Sequence, residues 1–194
     1  MGQIQVTRCE IEGLLVIEPK VHRDARGYFV ETYNERDLAL EGFHRKFVQD
    51  NQSMSSKGVL RGLHFQKQFP QGKLVRVLQG RVFDVAVDIR TGSETFGKWF
   101  GVELSDENMK QFFIPEGFAH GFYVMSNTAV FADKCTDFYH PNDEGGILYS
   151  DPEIGIEWPF EDGTDVLLSE KDRNWAGLSE TVRRGELPII KMPE

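Results

Sequence analysis

The sequence predicts a mainly all-β protein, an antiparallel sandwich or barrel with a few short helices. Three observations point there. Short apolar runs recur between turn signals along most of the chain. The run 81–89 alternates cleanly, with Phe83, Val85, Val87 and Ile89 on one face and Asp84, Ala86 and Asp88 on the other. Helical periodicity is sparse and no βαβ rhythm is present, which excludes parallel α/β folds.

Taken in order, the apolar run 14–18 reads as a strand that stops at Pro19. A second strand is expected over 28–33. Asn34 then stands where it can cap a helix over 35–41, closed by Gly42. Strands follow at 47–52 and 60–66. The run 73–78 is expected to pair with 81–89 as a tight hairpin through Gln79-Gly80. Further strands fall at 99–104 and 112–114. A second hairpin is expected to join 120–125 to 130–135 at Ser126-Asn127. Ser169 caps a short helical piece ending at Arg173. With no repeats, linkers or low-complexity tracts, residues 1–194 read as one domain. It has a peripheral N-terminal strand and a helical or extended C-terminal tail.

Composition narrows the function classes. A core of this length buries about 70% of the unfolded chain's surface, so folding needs no disulfide or metal. Lys and Arg number 22 against 31 Asp and Glu, a net charge of −9, with 40% hydrophobic residues. That balance excludes a disordered chain and argues against non-specific nucleic-acid binding, which wants a basic surface. An anionic ligand still fits where Arg and Lys converge locally. The 19 glycines and 15 phenylalanines suit a turn-rich β architecture with room inside for a ring-shaped ligand. Cys9 and Cys135 form no disulfide framework and read as reduced thiols of a cytoplasmic protein. The N-terminal residues lack a signal-peptide layout, and no apolar run approaches the ~18 residues that span a bilayer.

Polar residues on strands are the useful anomalies. His64 lies in Arg61-Gly62-Leu63-His64-Phe65-Gln66, His120 in Pro115-Glu116-Gly117-Phe118-Ala119-His120, and Lys73 follows the turn Pro70-Gln71-Gly72. A lone strand histidine is more often structural, but two histidines and a lysine can converge in a barrel mouth. Pro-x-Gly-x-x-His is the second half of a cupin metal signature. The first half here lacks its second histidine, replaced by Gln66, and its carboxylate, so no bound metal is expected. His64 is then free to act as a base. A base needs a carboxylate to fix its tautomer, and both Asp84 and Asp172 are candidates. The plainer reading of Ser169-Glu170-Lys171-Asp172-Arg173 is a solvated helix start. Such a set suits proton abstraction beside a carbonyl of an anionic substrate.

These segments together resemble the dTDP-4-dehydrorhamnose 3,5-epimerase family. The likeness runs from about Val16 to Trp175 and rests on Asp24-Ala25-Arg26-Gly27-Tyr28-Phe29, Phe47-Val48-Gln49-Asp50-Asn51, the His64 and His120 segments, Gln71-Gly72-Lys73-Leu74-Val75-Arg76-Val77 and Leu168-Ser169-Glu170-Lys171-Asp172-Arg173. The resemblance implies a cupin-type antiparallel jelly roll, a homodimer, no cofactor and a dTDP-sugar substrate. By it His64 is the general base, Asp172 its partner and Lys73 the oxyanion stabiliser. The substrate-binding set falls on Arg26, Glu31, Gln49, Asn51, Arg61, His120, Glu144, Lys171 and Arg173, and Tyr139 is the ring that stacks on thymine. The family's acid is a tyrosine before Lys-Cys-Thr, and this chain has Asp133 there. Three outcomes stay open: epimerisation at C3 and C5, epimerisation at C3 alone, and sugar-nucleotide binding without turnover. Strict alternation also puts Arg61 and His64 on opposite faces. Either Gly62 sits at a bulge, or Arg61 serves a neighbouring subunit.

Overall fold

The computed structural model describes residues 4–190. The first three residues of the expected N-terminal strand and residues 191–194 of the tail lie outside the described residues. The strands are β1 (Ile4–Arg8), β2 (Leu15–Pro19), β3 (Val21–Asp24), β4 (Gly27–Val30), β5 (Gln49–Ser56), β6 (Leu60–Gln66), β7 (Lys73–Gln79), β8 (Arg81–Asp88), β9 (Trp99–Ser105), β10 (Gln111–Ile114), β11 (Phe118–Val124), β12 (Thr128–Cys135) and β13 (Glu144–Gly146). The helices are α1 (Glu35–Leu40), α2 (Glu170–Arg173) and α3 (Leu178–Arg183). One sheet orders its strands β1-β2-β10-β7-β12-β5 and the other β13-β6-β11-β8-β9, while β3 and β4 pair as a separate hairpin. Every strand pairing is antiparallel.

The two large sheets face one another. Val75, Val77, Phe112, Ile114 and Phe131 from the first meet Val82, Leu104, Phe122 and Val124 from the second in one buried cluster. Burying each such side chain contributes about 1.5–3 kcal/mol, so this seam fixes the sandwich. Alternation along β8 is as the sequence predicts, but its wholly apolar face points away from the seam. Val85, Val87 and Ile89 are covered instead by Ile154, Leu178 and Trp158 from the C-terminal third. Asp84 is therefore turned inward, to the side where a ligand could lie.

The two expected hairpins are corrected. β7 and β8 lie in different sheets, as do β11 and β12. Both short connections carry the chain across the sandwich rather than back along a neighbour, which is how a jelly roll switches sheets. At the first crossing Gly80 takes φ +82°, and a Cβ there would lie 2.1 Å from the Thr128 carbonyl oxygen. Ser126 ties the crossings together: its Oγ accepts from the Arg81 backbone N–H and donates to the Thr128 carbonyl, both at 2.8 Å. The strand expected over 28–33 ends at Val30, because Glu31 accepts from the Asn34 side chain and Asn34 caps α1. The strand expected over 47–52 instead runs from Gln49 to Ser56. α3 carries no helix signal in its cap. Gly177 offers no side chain, and Asp151 supplies the missing acceptor to the Leu178 N–H at 2.5 Å.

Candidate active site

The site is built where β6 and β11 run side by side. His64 and His120 are direct partners in that ladder, and farther along Arg61 pairs with Phe122. Three steps of β6 thus match two of β11, which is a bulge. Gly62 takes φ +132°, and a Cβ there would lie 2.6 Å from the Gly121 Cα, so glycine is required at this crossing. The bulge answers the alternation problem. Arg61 and His64 line one cleft with Ser169, Lys171 and Asp172 of the same chain. The Arg61 Nε donates to Ser55 Oγ at 3.1 Å.

Between the sheets lies a cavity of about 310 Å³. His64, Gln66 and His120 line it from one side, and Gln49, Asn51, Lys73 and Asp133 from the other. The His64 Nε2 lies 2.5 Å from Asp172 Oδ1. Ser169 caps α2 by accepting the Asp172 backbone N–H, and the Trp175 indole N–H donates to the same Oδ1 at 3.3 Å. Burial pushes the Asp172 carboxyl up, but hydrogen bonding and charge from His64, with the Ser169 and Trp175 bonds, outweigh it and hold the carboxyl below the usual range. An ionised carboxylate only accepts, so Nε2 of His64 carries its hydrogen and Nδ1 is left to take a proton. Asp84 belongs to the other histidine. His120 Nε2 lies 3.0 Å from both Asp84 oxygens. Complete burial pushes Asp84 up, and the charges of His120 and Lys73 offset that only in part.

Asp133 stands on the opposite wall, on β12. Its Oδ2 accepts from Asn51 Nδ2 at 2.9 Å and from the Cys135 thiol at 3.1 Å. Burial and the nearby Asp133 charge push that thiol up to about 12, which makes it inert as a nucleophile. Asn51 accepts from Gln49 Nε2 at 2.9 Å, and Gln49 Oε1 accepts the Tyr139 backbone N–H at 2.9 Å. At the rim, Glu144 takes Lys171 at 2.7 Å and the Tyr139 hydroxyl at 3.4 Å. Lys73 enters the cavity and makes no ion pair among the described residues.

The structure thus brings together His64, Asp172, Lys73, Asp133, Gln49, Asn51, Arg61, His120, Tyr139, Glu144 and Lys171. It leaves three expected residues outside these cavities. Arg26 is 90% exposed and pairs with Asp24 on the β3–β4 hairpin. Glu31 is held by Asn34, and Arg173 is exposed on α2. Sequence reasoning missed two contributors. Trp175 fixes Asp172, and its ring fits only because position 146 is glycine: a Cβ there would lie 2.2 Å from the indole. Gln66 anchors the rim, accepting the His140 N–H at 2.6 Å and donating to the Phe69 carbonyl. Alternation could have indicated Gln66, since it shares the His64 face of β6.

The chain matches a family profile described as dTDP-4-dehydrorhamnose 3,5-epimerase over residues 8–180. It is 54% identical over 180 residues to the dTDP-4-dehydrorhamnose 3,5-epimerase of Methanothermobacter thermautotrophicus, covering 93% of this chain and 97% of the relative. The crystal structure of a dTDP-6-deoxy-D-glucose-3,5-epimerase from Legionella pneumophila, in complex with dTDP-4-keto-L-rhamnose, is similar at TM-score 0.91 and 52% identity, covering 97% of this chain and all of that one (100%). A 3′-monoepimerase from Streptomyces bikiniensis, ChmJ, in complex with dTDP-quinovose, is similar at TM-score 0.86 and 32% identity, with coverages of 93% and 91%.

Proposed function

The chain belongs to the dTDP-4-dehydrorhamnose 3,5-epimerase family, and from that premise we propose that it inverts C3 and C5 of dTDP-4-dehydro-6-deoxy-D-glucose to give dTDP-4-dehydro-L-rhamnose. The observation that carries the reading is the His64–Asp172 pair opening on a cavity shared with Lys73. The 4-keto group acidifies the C–H bonds on both sides of it. His64 Nδ1 removes one such proton, and the Asp172 carboxylate stabilises the imidazolium that results. The electron pair moves onto the keto oxygen, where the Lys73 ammonium offsets the charge. Inversion requires a proton from the other ring face, and Asp133 stands on the wall across the cavity. That proton comes from the carboxyl of Asp133 or from a water beside it. This chemistry draws on side chains and water and needs no cofactor.

The remaining residues serve the nucleotide. Tyr139, 47% exposed at the rim, offers a ring for thymine, and Gln49, Asn51, His120, Glu144 and Lys171 line the path from ring to sugar. Arg61 faces the pyrophosphate. Residues 1–194 work as one domain in a cytoplasmic homodimer, with Arg26 and Glu31 reaching the second copy's site and Arg173 adding to the cationic rim. Supporting this, Tyr28 and Phe29 beside Arg26 are 56% and 69% exposed, an apolar tip on the β3–β4 hairpin. Light scattering giving the monomer mass would overturn the dimer.

Deuterium incorporation in D2O tests the reaction itself. Label entering both C3 and C5 of the substrate is the expected result. Label at C3 alone would make the chain a mono-epimerase, the activity named for ChmJ. Label at neither carbon, with dTDP still bound, would overturn catalysis.

A further inference from the structure

We propose that Asp133 also acts away from the sugar: through Oδ2 it terminates a directional amide ladder that positions Tyr139, and so sets nucleotide affinity from the sugar end of the site. The nucleotide consequence rests on the reading of Tyr139 as the base-stacking ring. The ladder itself rests on bonding alone. It runs Tyr139 N–H to Gln49 Oε1, Gln49 Nε2 to Asn51 Oδ1, and Asn51 Nδ2 to Asp133 Oδ2, each at 2.9 Å.

Both ends of this chain fix its direction. A backbone N–H can only donate, so Gln49 must turn its oxygen toward Tyr139. Its NH2 then meets Asn51, which must present oxygen, and the Asn51 NH2 is left to meet residue 133. Position 133 supplies the oxygen acceptor at 2.9 Å, and the Cys135 sulfur, at 3.5 Å from the same NH2, is the weaker alternative. Oδ2 of Asp133 is that oxygen, and it also accepts from the Cys135 thiol. Oδ1 takes no hydrogen bond among the described residues. One oxygen is committed to the ladder and the other is free for the substrate. The ladder stands on β5, and β5 pairs directly with β12 through Asn51↔Asp133 and Gln49↔Cys135. Neighbouring strands thus hold Gln49, Asn51 and Asp133 in place, while Tyr139, at the ladder's other end, sits on the exposed segment beyond β12.

The ladder is tested by hydrogen exchange and by calorimetry with dTDP, on wild type and on Asp133→Leu and Asp133→Asn variants. Asp133→Leu removes the acceptor at similar volume. Asp133→Asn keeps it, since its amide oxygen still accepts from Asn51. Loss of the terminal acceptor is expected to speed exchange of the Tyr139 amide about 5–10-fold and weaken dTDP binding by a similar factor, the worth of one hydrogen bond. Asp133→Asn should restore both to within about threefold of wild type. A fold defect would not be rescued by a neutral isostere. Unchanged Tyr139 exchange in Asp133→Leu would overturn the ladder. Faster exchange with unchanged dTDP affinity would overturn the link to nucleotide binding. Absence of dTDP binding by wild type would defeat the nucleotide reading of the site, and the exchange measurement would still decide the ladder.

Discussion

His64 and His120 face each other across one ladder, each hydrogen-bonded through Nε2 to an aspartate, yet the two pairs are built for different roles. His64 is 24% exposed and opens on the cavity, whereas His120 is 8% exposed and stacks on Phe131. Their aspartates differ more. Both are buried, but Asp172 also receives the Trp175 indole N–H and lies beside the Ser169 cap, and its carboxyl is held below the usual range. Asp84 has His120 as its sole hydrogen-bond partner among the described residues, and burial pushes it up. An aspartate that stays ionised keeps hydrogen on Nε2 and leaves Nδ1 basic. The same two residue types thus give a proton acceptor open to the cavity at one strand and an enclosed pair at the next. What separates them is burial together with the donors: Asp84 is completely buried with His120 alone to offset it by hydrogen bonding, while the bonds from His64, Ser169 and Trp175 outweigh the burial of Asp172.

The largest expected effect comes from exchanging the two carboxylates for amides. Asp172→Asn removes the anion that supports the imidazolium and should lower kcat by about 10²–10⁴-fold, the range for disabling a general base. Asp84→Asn keeps an oxygen for Nε2 and touches no reacting atom in the proposed mechanism, so kcat should fall by about tenfold or less. Rates of C3 and C5 deuterium exchange for the two variants settle the contrast. Equal losses would break it, and would make His120 a second base.

How much of this contrast was legible in the sequence depends on which force decided each part. The capped helices were readable because Asn34 and Ser169 act within three residues of themselves. The β8 alternation was readable for the same local reason. Asp84 and Asp172 were both visible as possible partners for His64, but periodicity carries no information about which strand lies beside which. That choice was made by the β6–β11 register and by α2 folding back over β6. The hairpins failed for a related reason: Gln79-Gly80 and Ser126-Asn127 have turn chemistry suited either to pairing or to crossing between sheets. Interior packing selected the crossing, with Val77 and Val82 buried in one seam from opposite sheets. Trp175 was invisible, since nothing local shows that a tryptophan three residues after Asp172 will donate to it through a space cleared by Gly146.

The smallest expected effect is on stability, and its value lies in its sign. Asp172 titrates below the usual carboxylate range in the folded protein. Between that range and its folded value the unfolded chain binds the extra proton, so this stabilisation is present at higher pH and is lost as pH falls through the folded value. Asp84 runs the other way. Its folded value lies above the usual range, so the folded protein binds the extra proton, and stability is lost as pH rises from that range through the folded value. Melting curves of wild type against each amide variant isolate the two contributions. The Tm advantage of wild type over Asp172→Asn should shrink on acidification, while its Tm relative to Asp84→Asn should fall as the pH is raised. About 1 kcal/mol moves Tm by roughly 2–4 °C at this chain length, so both signs are readable. Two slopes of the same sign would mean that the donors around Asp172 do not outweigh its burial, and the distinction between the pairs would then have to rest on exposure alone.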